Sequence, residues 1–217
     1  MTAPRATACP QCGRPRTSDA ATHGLCPACL FATAASMDDE ACPYQVLAPI
    51  EQDAHGITYL AERHASHVRG FVALKVVAGG NGDAILSRFH ELKPALARLQ
   101  HPCAAKVLDA GSTSDGSVYI ASDYVTGTPL SEMVSRPSLE RAGRAEVARQ
   151  LIEAVGAAHA AGVVHLDLDG SKVKVSTAAG LRASITGFGL SVIVEGRAGG
   201  PEIDRLALET LIRQLDL

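Results

Sequence analysis

The spacing of apolar and polar positions divides the chain near Tyr44. Before it, the stretch FATAASMDDEAC is small, polar and acidic, which predicts a short helix followed by a linker. After it, three runs rich in β-branched and aromatic residues predict strands separated by polar turns: YQVLAPI, GITYLAER and GFVALKVV. A helix around AILSRFHELKPALARL and strands at AAKVLDAG and SVYIASDYV follow.

The second half of the chain is mostly helical in pattern. The segment RAEVARQLIEAVGAAHAAG repeats apolar residues at helical spacing and ends at Gly162, a residue type that commonly stops helices. Short strands are predicted at VKVS and RASIT, and a last helix at EIDRLALETLIRQL. A sheet with one helix, followed by a helical region, indicates the α+β fold class.

Composition and charge narrow the possible partners. The chain has 217 residues, of which 47% are hydrophobic, and a net charge of −3. This length suffices for one core and a small additional module. The charge balance argues against nucleic acid and anionic membranes, because a basic patch is the usual mark of both partners. No apolar run is long enough to cross a membrane and the N-terminus lacks a signal-peptide core, so we expect a cytoplasmic protein.

Four cysteines near the N-terminus form two C-x2-C pairs separated by thirteen residues. Each pair aims two sulfurs at one point, and two pairs complete a tetrahedron around Zn²⁺. Two disulfides or a redox pair are the alternatives, and a reducing compartment disfavours the disulfides. The set resembles the zinc ribbon at the start of some bacterial kinase-like proteins, so we expect a ribbon with structural zinc at residues 1–31 and a linker at 32–43. The predicted ligands are Cys9, Cys12, Cys26 and Cys29, whereas Cys42 and Cys103 are predicted to be packing residues.

Several segments after the linker occur in the order of a known family. VALKV contains Lys75, LARLQHP precedes KVLDAG, and AAHAAGVVHLDL precedes GFGL. Together they resemble the eukaryotic-like Ser/Thr protein kinases of bacteria. The resemblance covers residues 44–217 and implies a two-lobe kinase fold, with an antiparallel sheet and one helix followed by a helical lobe. It also implies that Lys75 is the phosphate-binding lysine.

The nucleotide loop implied by this resemblance is largely changed. Its three glycine positions hold Glu51, Asp53 and Gly56. Glycines there let backbone N–H groups approach phosphates, whereas two carboxylates would repel a triphosphate. The alternative is that both carboxylates point to solvent.

The helical partner of Lys75 is also displaced. The resemblance places a glutamate at position 92, which is Leu92, and Glu91 lies one position early, about 100° around the helix. Pro94 could shift the helix locally and bring Glu91 into place. We expect the lysine–glutamate pair to be broken.

The predicted catalytic loop begins at His165 and keeps only part of the family pattern. Asp167 stands where the resemblance places the catalytic base. Leu166 replaces the arginine that would clamp a phosphorylated segment, and Asp169 replaces the lysine that would steady the phosphate. Asp167 could instead serve only to hold the shape of the loop.

The two positions that hold metal in the family carry no metal ligand here. Lys172 stands where an asparagine is implied, and Gly187 of GFGL where an aspartate is implied. Since Mg²⁺ neutralises charge in phosphoryl transfer, we expect no phosphotransfer and neither ATP nor Mg²⁺ as a cofactor. The expected function is a pseudokinase, a non-enzymatic binding or scaffolding protein in signalling.

Two alternatives stay open. The first is a weak or unconventional ATP-binding Ser/Thr kinase-like phosphotransferase that uses Lys75 and Asp167. The second is a zinc ribbon that binds nucleic acid or a protein through Arg14 and Arg16.

The last helix predicts an interface. The resemblance implies further lower-lobe helices, so we expect a domain truncated after its central lower-lobe helix, with one apolar face of that helix uncovered. We expect a homodimer or a protein partner there, and the alternative is that this face packs on LIEAVGAAHAAGVV. The face consists of Leu208, Leu211, Ile212 and Leu215, widened by Ile203 and Leu206.

Overall fold

The structure, a computed structural model, describes residues 42–53, 55–63, 70–77, 81–113, 116–134 and 139–216. The chain divides into two compact units. The first comprises the chain up to Gly82 together with Ala110–Ala121, and the second comprises Asp83–Asp109 and Ser122–Leu217. The elements are β1 (Tyr44–Asp53), β2 (Gly56–Arg63), β3 (Phe71–Val77), α1 (Gly82–Arg98), β4 (Val107–Ser112), β5 (Val118–Asp123), β6 (Thr128–Pro129), α2 (Leu130–Val134), α3 (Arg141–Ala161), β7 (Val173–Ser176), β8 (Arg182–Ile185), α4 (Leu190–Glu195) and α5 (Pro201–Gln214).

A five-stranded sheet in the order β1-β2-β3-β5-β4 builds the first unit. Its first three strands pair antiparallel, and their alternating apolar side chains bury one face. Tyr44 and Tyr119 meet edge to face in the core, with ring centroids 5.7 Å apart. Cys42 is buried in the same cluster, which confirms its prediction as a packing residue.

Gly56 is required by the sheet itself. It opens β2 with φ of +154°, and a Cβ atom there would overlap the carbonyl oxygen of Val76 on β3. Any larger residue would therefore separate β2 from β3.

Helix α3 and a three-stranded sheet in the order β6-β7-β8 organise the second unit. Gln150 of α3 is 8% exposed, accepts a hydrogen bond from Ala183 N–H at 2.7 Å and donates one to the Leu181 carbonyl at 3.1 Å. This side chain ties α3 to β8. Cys103 lies beside it as a buried free thiol, again as predicted. Gly162 ends α3 in the left-handed conformation, with φ of 82°.

Helix α5 packs the predicted interface face into its own unit. Leu208, Leu211 and Leu215 are 8%, 3% and 3% exposed, and α5 contacts α3. Only Ile212 of the four is half-buried. The expectation that this face is uncovered is therefore wrong for the three leucines. The exposed apolar side chains on this helix are Ile203 and Leu206, and association through the helix stays a prediction.

The four predicted zinc ligands lie outside the described residues, as do the ribbon at 1–31 and most of the linker. Within the part of the chain that is described, no cluster of three or more His, Cys, Asp or Glu side chains could hold a metal ion. No helix among these same residues is both long and apolar enough to cross a membrane.

Candidate functional site

Lys75 of the first unit forms an ion pair with Asp53 of the nucleotide loop. Strand registers explain the contact: Glu51 lies opposite Thr58, and Thr58 lies opposite Lys75, so the three share one face of the sheet. Asp53 is two residues beyond Glu51 and therefore on the same face. The lysine side chain is 11% exposed and the carboxylate 31%, so the pair is largely shielded from water.

This contact changes the interpretation of the loop. Asp53 does not point to solvent, since it is the carboxylate partner of Lys75. It also accepts a hydrogen bond from His55 N–H at 3.0 Å, which shapes the turn between β1 and β2. The Lys75 ammonium group, to which the resemblance assigns phosphate binding, is thus already paired with the Asp53 carboxylate.

In the second unit the predicted catalytic loop is held by Asp204 of α5, which is fully buried. Its carboxylate accepts hydrogen bonds from the N–H groups of His165 at 2.8 Å and Leu166 at 2.7 Å. It also meets Nε2 of His159 at 2.8 Å. Sequence reasoning placed Asp204 at the start of the helix but assigned it no role.

His165 is 1% exposed and fixed in one tautomer. Its Nε2 lies 2.8 Å from the Thr186 carbonyl, which can only accept, so Nε2 carries the proton. Its Nδ1 accepts the N–H of Asp167 at 3.3 Å. Burial lowers the pKa of His165 from its usual value, which outweighs the raising effects of the Thr186 carbonyl and nearby carboxylates. His165 is therefore neutral, and its Nδ1 positions the backbone of Asp167 by accepting a hydrogen bond.

The Asp167 carboxylate is available to solvent. Its side chain is 54% exposed, and its Oδ1 lies 3.9 Å from Nη1 of Arg197. The carboxylate of the candidate base is therefore exposed, while hydrogen bonds to the buried side chains of Asp204 and His165 hold the loop backbone in place. Arg197 carries no motif signature, and sequence reasoning did not select it.

Leu166 has a backbone that few residues adopt. Its φ is 61°, in the left-handed region, and its side chain is 3% exposed. The side chain packs against Gly199, where a Cβ atom would lie 2.8 Å from Leu166 Cδ2. Leucine at the family's arginine position is thus a core residue, and the hydrogen bond to Asp204 offsets a conformational cost of about 1–2 kcal/mol.

Asp169 shapes the loop rather than contacting phosphate. Its Oδ1 accepts hydrogen bonds from Ser171 N–H at 2.6 Å, Ser171 Oγ at 2.5 Å and Lys172 N–H at 3.3 Å. Partial burial raises the pKa of this carboxyl group, but the Ser171 and Lys172 hydrogen bonds outweigh burial and lower the pKa overall. The carboxylate is therefore ionised and engaged in the turn.

The GFGL turn lies beside His165. Phe188 is fully buried and meets the His165 ring edge to face, with centroids 5.3 Å apart. Gly187 has φ of +93°, and a Cβ atom there would be 3.4 Å from His165 Nε2. Leu92 of α1 packs against Gly189, where a Cβ atom would lie 2.8 Å from its Cδ2. The leucine at the predicted glutamate position therefore supports this turn, while Glu91 is exposed.

The metal ion that the resemblance implies does not fit these two positions. Gly187 offers no side-chain oxygen, and Lys172 offers a cation. The positive charge of Lys172 is close enough to contribute to the lowered pKa of His165.

The comparisons with known proteins find protein kinases. The chain matches no protein-family model. It is 32% identical over 126 residues to Serine/threonine-protein kinase pkn3 of Myxococcus xanthus, covering 57% of this chain and 23% of that protein. It is 29% identical over 156 residues to Serine/threonine-protein kinase pkn2 of the same organism, covering 70% of this chain and 18% of that protein. The chain thus spans about a fifth of the length of these relatives.

Solved structures agree on the fold. The chain matches the PknI kinase domain of Mycobacterium tuberculosis with a TM-score of 0.63 and 25% identity, covering 80% of this chain and 72% of that one. The fold is that of a protein kinase domain, and both relatives are named as Ser/Thr protein kinases. The expectation that the chain is not an enzyme is therefore wrong, because its relatives are named as kinases and its structural neighbours are kinase domains.

Proposed function

We propose that the chain is an unconventional ATP-binding phosphotransferase of the Ser/Thr kinase type. The observation that carries this proposal is the presentation of Asp167. Its carboxylate is half-exposed, while Asp204 holds the N–H groups of the two preceding residues by buried hydrogen bonds and His165 accepts the N–H of Asp167 itself. The carboxylate of Asp169 shapes the loop through three hydrogen bonds, whereas Asp167 is held by its backbone N–H and leaves its carboxylate at the surface.

The reaction assigns one role to each of two residues. A Ser or Thr hydroxyl oxygen attacks the γ-phosphorus of ATP, the bond from γ-phosphorus to the bridging oxygen breaks, and ADP leaves. Asp167 accepts the hydroxyl proton. Lys75 binds phosphate oxygens after they displace Asp53, an exchange of one anion for another at the same ammonium group.

A radiolabelled-ATP assay on the full chain tests the proposal. We expect slow phosphate transfer to generic Ser/Thr substrates, above the background of a Lys75→Ala, Asp167→Ala double variant. Asp167→Asn keeps the shape of the side chain and removes the base, so the rate should fall by about 10²-fold or more. A wild-type rate equal to that of the double variant across substrates and divalent metals would refute the proposal.

A gain-of-function variant sharpens this test. Lys172→Asn with Gly187→Asp restores both family metal ligands. The backbone at 187 has positive φ, which Asp tolerates better than most residues, and the nearest neighbour of a Cβ atom is 3.4 Å away. We expect this variant to show a Mg²⁺-dependent rate well above wild type. Lys174→Asn, on the neighbouring strand β7, is the matched control.

A further inference from the structure

The segment after α4 brings a cation to the candidate base. Nη1 of Arg197 lies 3.9 Å from Asp167 Oδ1, and its Nε lies 3.9 Å from Glu195 Oε2. The arginine side chain is 45% exposed, so the guanidinium group can still reach a bound anion. Half-exposed ion pairs at such distances contribute little to stability, so folding alone gives no reason for an arginine here.

The position of Arg197 is set by the end of α4. Gly196 caps the helix in the left-handed conformation, with φ of 68°, and its N–H donates to the Val192 carbonyl at 3.0 Å. The N–H of Arg197 donates to the Ser191 carbonyl at 3.1 Å. These two bonds close the C-terminal end of the helix and fix the direction in which the arginine leaves it.

Helix α1 anchors this helix end in turn. Arg88 donates from Nε to the Ile193 carbonyl at 2.9 Å and from Nη2 to the Val194 carbonyl at 3.3 Å. It packs so closely that a Cβ atom on Gly196 would lie 2.5 Å from Arg88 Nη1. A chain of named contacts therefore leads from α1 through α4 to the guanidinium group beside Asp167.

The catalytic loop cannot supply this cation from the family's own position. Asp169 stands there, and its carboxylate is engaged by Ser171 and Lys172 N–H groups. Phosphoryl transfer spreads negative charge over the transferring oxygens, next to the anionic Asp167, and a fixed cation is needed to stabilise that charge.

We infer that Arg197 is the residue that neutralises the transferring phosphoryl group, in place of the cation lost at Asp169. This inference rests on the proposed function. Arg197 binds an oxygen of the γ-phosphoryl group while the hydroxyl oxygen attacks phosphorus, the proton passes to Asp167 and ADP departs. Its bond to the γ-phosphoryl group also makes ATP a better ligand than ADP.

Three variants of the full chain test the inference. Arg197→Gln removes the charge, Arg197→Lys keeps it, and Arg205→Gln removes an exposed arginine from α5 as the matched control. We expect Arg197→Gln to lower kcat by about 10²-fold, with little change in KM for the protein substrate. Arg197→Lys should recover most of that loss. Melting temperatures should match wild type.

Calorimetry with ATP and with ADP gives a readout that does not need turnover. Arg197→Gln should weaken ATP binding about tenfold and leave ADP binding unchanged, as loss of one charge-assisted bond predicts. If wild type shows no turnover, the proposed function fails and the inference fails with it; if wild type turns over, the affinity ratio decides the inference alone. An ATP-to-ADP ratio equal in Arg197→Gln and Arg205→Gln, including no preference for ATP in either, overturns the inference. An increase in kcat on Arg197→Gln also overturns it, because the arginine would then block Asp167.

Discussion

The ion pair of Lys75 and Asp53 gives the sharpest prediction about nucleotide affinity. Asp53→Asn keeps the size of the side chain and removes the anion that occupies the lysine. ATP would then bind Lys75 without first displacing a carboxylate. We therefore expect tighter ATP binding and no change for adenosine, which has no phosphate to reach the lysine.

The size of the expected gain in ATP affinity depends on how exposed the Lys75–Asp53 ion pair is to water. Two charges near a protein surface attract by about 4 kcal/mol at 4 Å, and exposed pairs retain about 0.2–1 kcal/mol after screening. The exposures of 11% and 31% put this pair between those limits. A net competition of about 1–2 kcal/mol corresponds to a gain of roughly 5- to 30-fold in ATP affinity. Loss of this partly exposed partner of Lys75 should also lower the free energy of unfolding by about 1 kcal/mol.

Isothermal titration of ATP and adenosine into wild type, Asp53→Asn and Glu51→Gln is the assay. Glu51→Gln changes the net charge equally but lies two residues away on the same strand face. An equal gain in both variants would mean that only the overall charge of the loop matters. Weaker ATP binding in Asp53→Asn would refute the reasoning, since Asp53 would then orient Lys75 for phosphate.

Three further predictions concern zinc, pH and the last helix. Metal analysis of the full chain should find one zinc, lost in a Cys12→Ser, Cys29→Ser double variant; retention of zinc there would contradict the predicted ribbon. Burial lowers the pKa of His165 from 6.5, so below that pH the unfolded chain binds a proton at this histidine more readily than the folded chain does. The free energy of unfolding should therefore be largest above pH 6.5 and should decrease as the pH falls below it. Melting temperatures measured across this range should show the loss in wild type and a smaller one in His165→Gln; equal slopes would contradict it. Leu211→Glu should unfold the second unit, as measured by near-ultraviolet circular dichroism, while Leu206→Glu, at a 65% exposed site, stays folded. A folded Leu211→Glu protein would support the expectation of an uncovered interface. Light scattering of wild type tests self-association directly.

Long periodic segments were predictable from sequence, and α4 was not. The three opening strands, α1 and α3 agree with their apolar patterns to within a few residues. The segment LSVIVE of α4 is rich in β-branched residues, which are poor helix formers, and is too short to show a period. Its helix depends on left-handed glycines at both ends and on Arg88, 105 residues earlier than Ile193.

The sequence predicted only those residues of the candidate site that a motif contains. Motif spacing located Lys75 and Asp167, but the partners of both depend on geometry that no motif encodes. Asp53 reaches Lys75 through two strand registers, and Arg197 reaches Asp167 through a helix cap. The non-enzyme expectation was wrong because it gave two absent metal ligands more weight than the surrounding fold.

Gly56 bears on how mutational scans of this domain would be interpreted. A side chain at this position would collide with the backbone of β3 whether or not a nucleotide is bound. Gly56 should thus tolerate no substitution even in a background where Lys75→Ala has already removed the proposed phosphate-binding group. Loss of function on substitution of Gly56 would then report on closure of the β2–β3 hairpin. The effect of substitutions at Glu51 and Asp53 would instead report on selection for ligand binding.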